Sequence, residues 1–310
     1  MQIIHFRAMN TAIDLAGEGN PAQLAQGFLR AQQFIEANEQ RFTRFSPASE
    51  LSQLNRAAGS WFQASAEMLQ LVMLAQSYAE LTSGLFNPAI LPDLLRIGYD
   101  RSMDQIRQLD TLPVNNEYPT LNRPPLQGLI CDPENERIYL PEGTQLDLSG
   151  IAKGWIVEQA AHILAEHASA CAINAGGDMF LIGLPAGKTS WEIGLENPLT
   201  PDQVLADLNL PPGAIATSTI TRRAWKQGPQ TRHHIIDPRT GEPADSGWLS
   251  VTVIAPHADT CEVFAKALLI GGPSQAATLL QLDPAIACLA VDRDGIIWGP
   301  PHSLEYLHAN

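Results

Sequence analysis

Four segments concentrate groups able to handle an anion or a proton. In DLSGIAKG (147–154) a glycine turn and Lys153 stand at the mouth of a helical pattern. Unpaired N–H groups and the positive end of the helix dipole favour an anion there. The octamer is neither a Walker A loop nor a GxGxxG turn, and a capped strand-to-helix joint with a solvated lysine is the alternative. NAGGD (174–178) sets Gly176 and Gly177 beside the Asn174 amide and the Asp178 carboxylate. A ligand can approach such a backbone closely, although the same pentamer suits a tight hairpin turn. TRHHIIDPRTGEP (231–243) carries two histidines, an aspartate and two arginines around a Pro and Gly turn. His233 and His234 are neighbours, so an extended strand points them to opposite faces and a single metal does not take both. The bland alternative is a polar turn with an Asp237 to Arg239 contact. AIATSTITRRAW (214–225) offers the Thr217 and Ser218 hydroxyls at the end of an apolar strand, then Arg222 and Arg223. These groups suit phosphate oxygens, and Thr-Ser pairs also form turns and caps.

The elements that position these segments follow from periodicity. Leu24, Phe28, Ala31 and Ile35 repeat at helical spacing after Asn20-Pro21, which predicts an amphipathic helix with proline in its first turn, laid over a sheet. A second helix is predicted from about 65 to 82, stopped by Ser83-Gly84. FSPASELSQLN between them reads as a turn-rich joint, and the Pro- and Asn-rich stretch 113–125 as a surface excursion before the short strand GLICD. RIYL, DLSGIAKG and the apolar stripe Trp155, Ile156, Ala160, Ile163 and Leu164 read as strand, turn and helix. The apolar arms of CAINAGGDMFLIG flank a Gly-Gly-Asp turn, and the second arm is expected to pair with WEIGL. A strand at SVTVIAP precedes a helix from about 259 to 270 that ends on Gly271-Gly272. Helices mixed with hairpins indicate an α+β protein rather than a doubly wound one.

The 310 residues, 45% apolar, suffice for a large core. A formal charge of −14 repels nucleic acid and anionic lipid, so neither is expected as a partner. An anionic substrate must then rely on local amides and cations. The scattered cysteines Cys131, Cys171, Cys261 and Cys288 contain no CxxC pair and read as small core residues. No basic segment leads into an unbroken apolar stretch at the start, and no 18-residue apolar run occurs, so a cytoplasmic location without membrane insertion is the expectation.

In order and spacing the four segments, with FRAMNT, SELSQLN, SGLFNPAI and AKALLIGG, resemble the FAD:protein FMN transferase family, also called the ApbE family. The resemblance implies an α+β fold with mixed and antiparallel sheets and packed helices, T-fold-related, in which residues 1–310 form one FAD-binding domain of two intertwined α/β halves. It also implies FAD, a Mg2+ ion that helps split it, and an acceptor protein whose Thr or Ser receives FMN as AMP departs. Such phosphoryl transfer needs charge neutralisation, in-line placement and a proton acceptor.

Carried over by position, Met9 falls in the N-terminal Met-Gly-Thr element, here MNT, and Asn55 ends SELSQLN. Lys153 and the backbone at Ala152 belong to the diphosphate and metal region. Asn174, Gly176, Gly177 and Asp178 form the NAGGD turn, and Thr217 and Ser218 the hydroxyl strand. His234 matches the histidine that takes or relays the hydroxyl proton. Three departures are mild: Asn87 in FNP, Thr219 in TST, and Glu158 where Asp is usual. A larger one lies on the last helix. Family members carry there an Asp and, four residues later, a Thr that serve the metal, and this chain has Glu262 and Lys266. A carboxylate suits Mg2+, whereas a protonated ammonium cannot ligate. Either the two form a helical i, i+4 pair contributing ~0.2–0.5 kcal/mol, or Lys266 takes the ion's place beside the diphosphate. An FAD-binding flavoprotein that stores flavin or passes electrons, or an FAD pyrophosphatase without transfer, are the alternative functions.

Overall fold

A computed structural model describes residues 1–113 and 126–307; of the expected surface excursion only Pro113 falls within them. The chain is α+β, and it divides into two compact units with interleaved segments. Unit 1 comprises residues 1–38, 153–222 and 246–310, and unit 2 comprises 39–152 and 223–245.

Unit 1 is organised by an antiparallel eight-stranded sheet. Its order is Gln2–Ala8, Thr11–Glu18, Ala170–Ala175, Asp178–Ile182, Gly213–Thr219, Trp248–Ala255, Ala287–Asp292 and Ile297–Trp298. The first hairpin turns on Met9 and Asn10, both with positive φ (51° and 58°), between the paired Ala8 and Thr11. A two-residue hairpin loop favours this mirror-image geometry, and Asn tolerates it better than most residues with a side chain. Helix Pro21–Phe42 starts as expected, with Asn20 Oδ1 accepting from the Ala22 and Gln23 amides. Its Leu24, Phe28, Ala31 and Ile35 are buried. Phe34 reaches Trp155 of helix Ala152–Ala165, with ring centroids 6.0 Å apart.

The helix starting at Ala258 packs on strands Gly213–Thr219 and Trp248–Ala255. It breaks at Gly272 (φ 62°), where a Cβ would lie 2.7 Å from that of Ser246. The predicted stop is therefore real, but the chain re-enters a helix at Pro273 and continues to Leu282, as proline in a first turn allows.

WEIGL does not pair with the second arm of the NAGGD hairpin; strand Trp191–Glu196 pairs with Val204–Leu210 in a separate ribbon. Its Trp191, Leu195, Leu208 and Leu210 pack with Leu181, Ile215, Ile254 and Leu289 of the sheet. The neighbour of Asp178–Ile182 is strand Gly213–Thr219. Strand alternation gives the buried face of WEIGL but not the partner along its edge.

Unit 2 holds a three-stranded sheet, Trp61–Gln63, Arg137–Tyr139 and Ile130–Asp132, beside helix Ala66–Leu81 and shorter helices. The expected second helix is capped by Ser65 and stops before Ser83 and Gly84, which have positive φ. The joint FSPASELSQLN is more ordered than a turn. Ser49 caps a helix Glu50–Arg56 that buries Leu51, Leu54 and Asn55. The cysteines are free; Cys171, Cys261 and Cys288 are buried and Cys131 is half-buried.

Candidate active site

Unit 1 brings together Lys153, Asp178, Glu262 and Lys266. Lys153 lies in the first turn of helix Ala152–Ala165, where its ammonium pairs with the buried Asp178 and lies 3.4 Å from the Ala175 carbonyl oxygen. Asp178 follows the Gly176-Gly177 turn of the hairpin, and its Oδ1 also accepts the Thr217 N–H at 3.2 Å. Thr217 continues the connection through its hydroxyl, 2.8 Å from that of Thr252 on the next strand. Ser218 beside it is buried. Lys153 of DLSGIAKG, the glycine turn and the hydroxyl strand thus meet around one carboxylate.

The NAGGD turn is held from within. Asn174 Oδ1 accepts the Gly177 N–H at 2.9 Å, and its Nδ2 donates to Asp14 at 3.1 Å. Gly176 has φ 63°, and a Cβ there would lie 2.1 Å from the Thr11 hydroxyl. Thr11 ends the MNT turn, so the hairpin carrying Met9 packs directly against NAGGD.

Glu262 closes the cluster from the helix starting at Ala258. It is buried, and its Oε2 accepts the Gly154 N–H at 2.8 Å. A carboxylate on an orphan amide in a helix's first turn is favourable for the dipole. Gly154 is needed for this approach, because a Cβ would stand 2.5 Å from the Ala258 carbonyl oxygen. Gly154→Ala is expected to destabilise by about 1–3 kcal/mol through overpacking, measured by urea unfolding. Glu158 braces the same junction: its carboxylate accepts the Ala258 N–H at 2.8 Å and meets His257 Nδ1 at 2.9 Å.

Burial, then the charge of Asp178, pushes Glu262 from its ordinary 4.5 up to about 7, against the opposing pull of Lys153, Lys266 and the Gly154 amide. The folded state therefore retains a proton that the unfolded chain releases between those values. This contribution to stability falls as pH rises from about 4.5 to about 7. In Glu262→Gln, which keeps an acceptor for Gly154, the fall across this window is expected to shrink by more than about 1 kcal/mol, read from urea unfolding at successive pH values.

Unit 2 holds the remaining predicted residues. Asn55 is bonded on both sides of its amide to one residue, donating to the Leu146 carbonyl at 2.9 Å and accepting its N–H at 2.7 Å. It thereby fixes the start of DLSGIAKG. The next residue, Asp147, is buried and pairs with Arg44 Nε at 2.7 Å, while its Oδ1 accepts the Ser149 N–H at 2.8 Å. Ala152 opens the helix at the last position of this unit. Arg44 was not singled out by the sequence; nothing in FTRF separates it from a surface arginine.

His234 lies between strands Gln230–His233 and Ile236–Asp237. Its ring meets Tyr99 edge-on, with centroids 6.4 Å apart and planes at 75°. Tyr99 packs between the Arg44 guanidinium at 4.5 Å and Trp225 at 5.3 Å. His233 Nε2 lies 3.1 Å from the Ala244 carbonyl oxygen, and burial lowers its pKa. The predicted Asp237 to Arg239 contact is present, with bonds at 2.9 and 2.7 Å. Glu242 in the same turn takes Arg96 and Arg232. Arg222 of unit 1 pairs with Glu196. The mild departures have local roles: Asn87 Oδ1 accepts the Ala89 N–H, and the Thr219 hydroxyl donates to the Leu249 carbonyl.

The ApbE family model matches residues 9–290 of this chain. The chain belongs to the ApbE family. An FAD:protein FMN transferase of Klebsiella pneumoniae is 29% identical over 284 residues, 89% of this chain and 86% of the relative. One of Treponema pallidum is 28% identical over 79% of this chain and 71% of its own length. Among solved structures, an ApbE protein from Thermotoga maritima superposes with a TM-score of 0.83 at 25% identity, covering 99% of both chains. The ApbE flavin transferase of Vibrio cholerae gives 0.78 at 22% identity over 99% of each, which speaks to the fold.

The donor set can be tested against the Mg2+ that the ApbE resemblance implies. Mg2+ requires near-octahedral oxygen ligation. Glu262 has one oxygen on the Gly154 amide, Asp178 is engaged by Lys153 and the Thr217 amide, and the charges of Lys153 and Lys266 both act on Glu262. Among the described residues no group of three or more His, Cys, Asp or Glu is arranged to hold a metal. Two ammonium groups around two engaged carboxylates do not fit a divalent ion.

Proposed function

We propose that this chain is an FAD:protein FMN transferase, joining FMN to a Thr or Ser of an acceptor protein and releasing AMP. The observation that carries this reading is membership of the ApbE family across residues 9–290. The relatives that bear the transferase name match most of this chain.

The chemistry assigned to its residues follows the needs of phosphoryl transfer. The acceptor hydroxyl oxygen attacks the phosphorus on the riboflavin side of FAD. A new P–O bond forms while the P–O bond to the adenylate breaks, and AMP leaves with the bridging oxygen. His234 takes the hydroxyl proton. Lys153, set by Asp178 beside the NAGGD turn, faces negative charge on the diphosphate. Asn55 acts by positioning DLSGIAKG, and Met9 on the first hairpin contributes to flavin contact.

Incubation with FAD, Mg2+ and a domain bearing an acceptor Thr tests the reading, with AMP and the acceptor's mass followed together. AMP with an acceptor heavier by FMN supports it. AMP with an unchanged acceptor indicates a pyrophosphatase, and intact bound FAD indicates a flavoprotein; either result overturns transfer.

A further inference from the structure

We infer that this chain neutralises the diphosphate of its dinucleotide with the ammonium of Lys266 rather than with a divalent cation. The inference rests on the flavin reading above and concerns the mismatch between the cluster and Mg2+.

Three observations lead to it. Glu262 and Lys266 stand one turn apart on one helix, and the Lys266 charge acts on the Glu262 carboxylate. That carboxylate is anchored, since its Oε2 holds the Gly154 amide, and this oxygen is already engaged. Lys153 shares its charge with Asp178 and the Ala175 carbonyl, so it meets only part of the charge of a diphosphate. A second cation is therefore called for beside an incoming diphosphate, and Lys266, one turn along the helix from Glu262, supplies it. The chain as a whole, at −14, supplies no general positive field in its stead.

An ammonium suits this task. It carries three N–H donors and no acceptor, so Lys266 can keep Glu262 as counter-ion and still donate to phosphate oxygens. Unlike a divalent ion, it cannot be removed by a chelator.

The test is FAD binding by the purified chain, followed by quenching of flavin fluorescence, in EDTA and in Mg2+. The wild type is expected to bind equally in both. Lys266→Met is expected to weaken binding about 10–100-fold in EDTA, the loss of one charge-assisted hydrogen bond, while Lys266→Arg retains it within about threefold because the charge and donors remain. A wild type that binds FAD only with Mg2+ overturns the inference and leaves the transferase reading standing. A Lys266→Met that binds in EDTA like the wild type overturns it also, as does a Lys266→Arg that loses as much as Lys266→Met, since side-chain packing then accounts for the effect. Failure to bind FAD in either buffer overturns both readings.

Discussion

His234→Ala is expected to leave FAD binding intact and to lower AMP release and acceptor modification by about 10²–10⁴-fold, the range for loss of a positioned proton acceptor. The ring is held by packing: Tyr99 meets it edge-on, and Tyr99 is itself confined between Arg44 and Trp225. Its neighbour His233 is unsuited to the same work, because its Nε2 is engaged by the Ala244 carbonyl and burial disfavours its charged form. The variant should therefore find no substitute base next door. AMP production and acceptor mass, measured across pH, check this. Turnover within about threefold of wild type would assign the proton to another group.

Arg44→Leu is expected to lower stability by about 3–5 kcal/mol, the usual result of breaking a buried ion pair from one side. The side chains of Arg44 and Asp147 are only 6% and 2% exposed. The guanidinium also lies over Phe45 at 4.2 Å and Tyr99 at 4.5 Å. Without it, Asp147 keeps the bonds from Ser149 but loses its counter-ion inside unit 2. Adding Asp147→Asn should recover part of the loss, because the orphaned charge is gone. Arg44→Lys should recover less than the full amount, since a lysine cannot stack its head group on the two rings. Urea unfolding measures all three, and a loss below about 1 kcal/mol for Arg44→Leu would contradict the buried-pair account.

What the sequence shows in advance is what local physics determines. The caps at Asn20 and Ser65, the apolar stripe Leu24, Phe28, Ala31 and Ile35, and the break at Gly272 are each settled within a few residues. So is the NAGGD hairpin, whose two glycines adopt the positive φ that its turn requires. ELSQLN carried a readable signal, Ser49 before leucines three apart, which the surrounding turn residues obscured. The partner of WEIGL was not legible, because alternation fixes a strand's face and not its neighbour.

The site divides in the same way. DLSGIAKG and NAGGD each showed a plausible anion turn, but the pairing of Lys153 with Asp178 depends on the helix and hairpin folding against each other. The resemblance drew attention to Glu262 and Lys266, yet not to the Gly154 amide that anchors Glu262. Nor could sequence distinguish Asn55 as a ligand contact from Asn55 as a brace for Leu146.

The interleaving of the central sheet sets a timetable for synthesis. Its first hairpin ends at Glu18, and the next strand of the sheet begins at Ala170. At ribosomal speed that interval of roughly 150 residues takes roughly 8–30 s. During it, strand Thr11–Glu18 lacks the partner that occupies its second edge in the finished sheet, and Ile13 and Leu15 lack their final burial. An unpaired apolar edge is a template for other chains. Yield in a foreign host should therefore depend on translation rate and on holdase chaperones that bind nascent chains, even for variants whose finished fold is as stable as the parent.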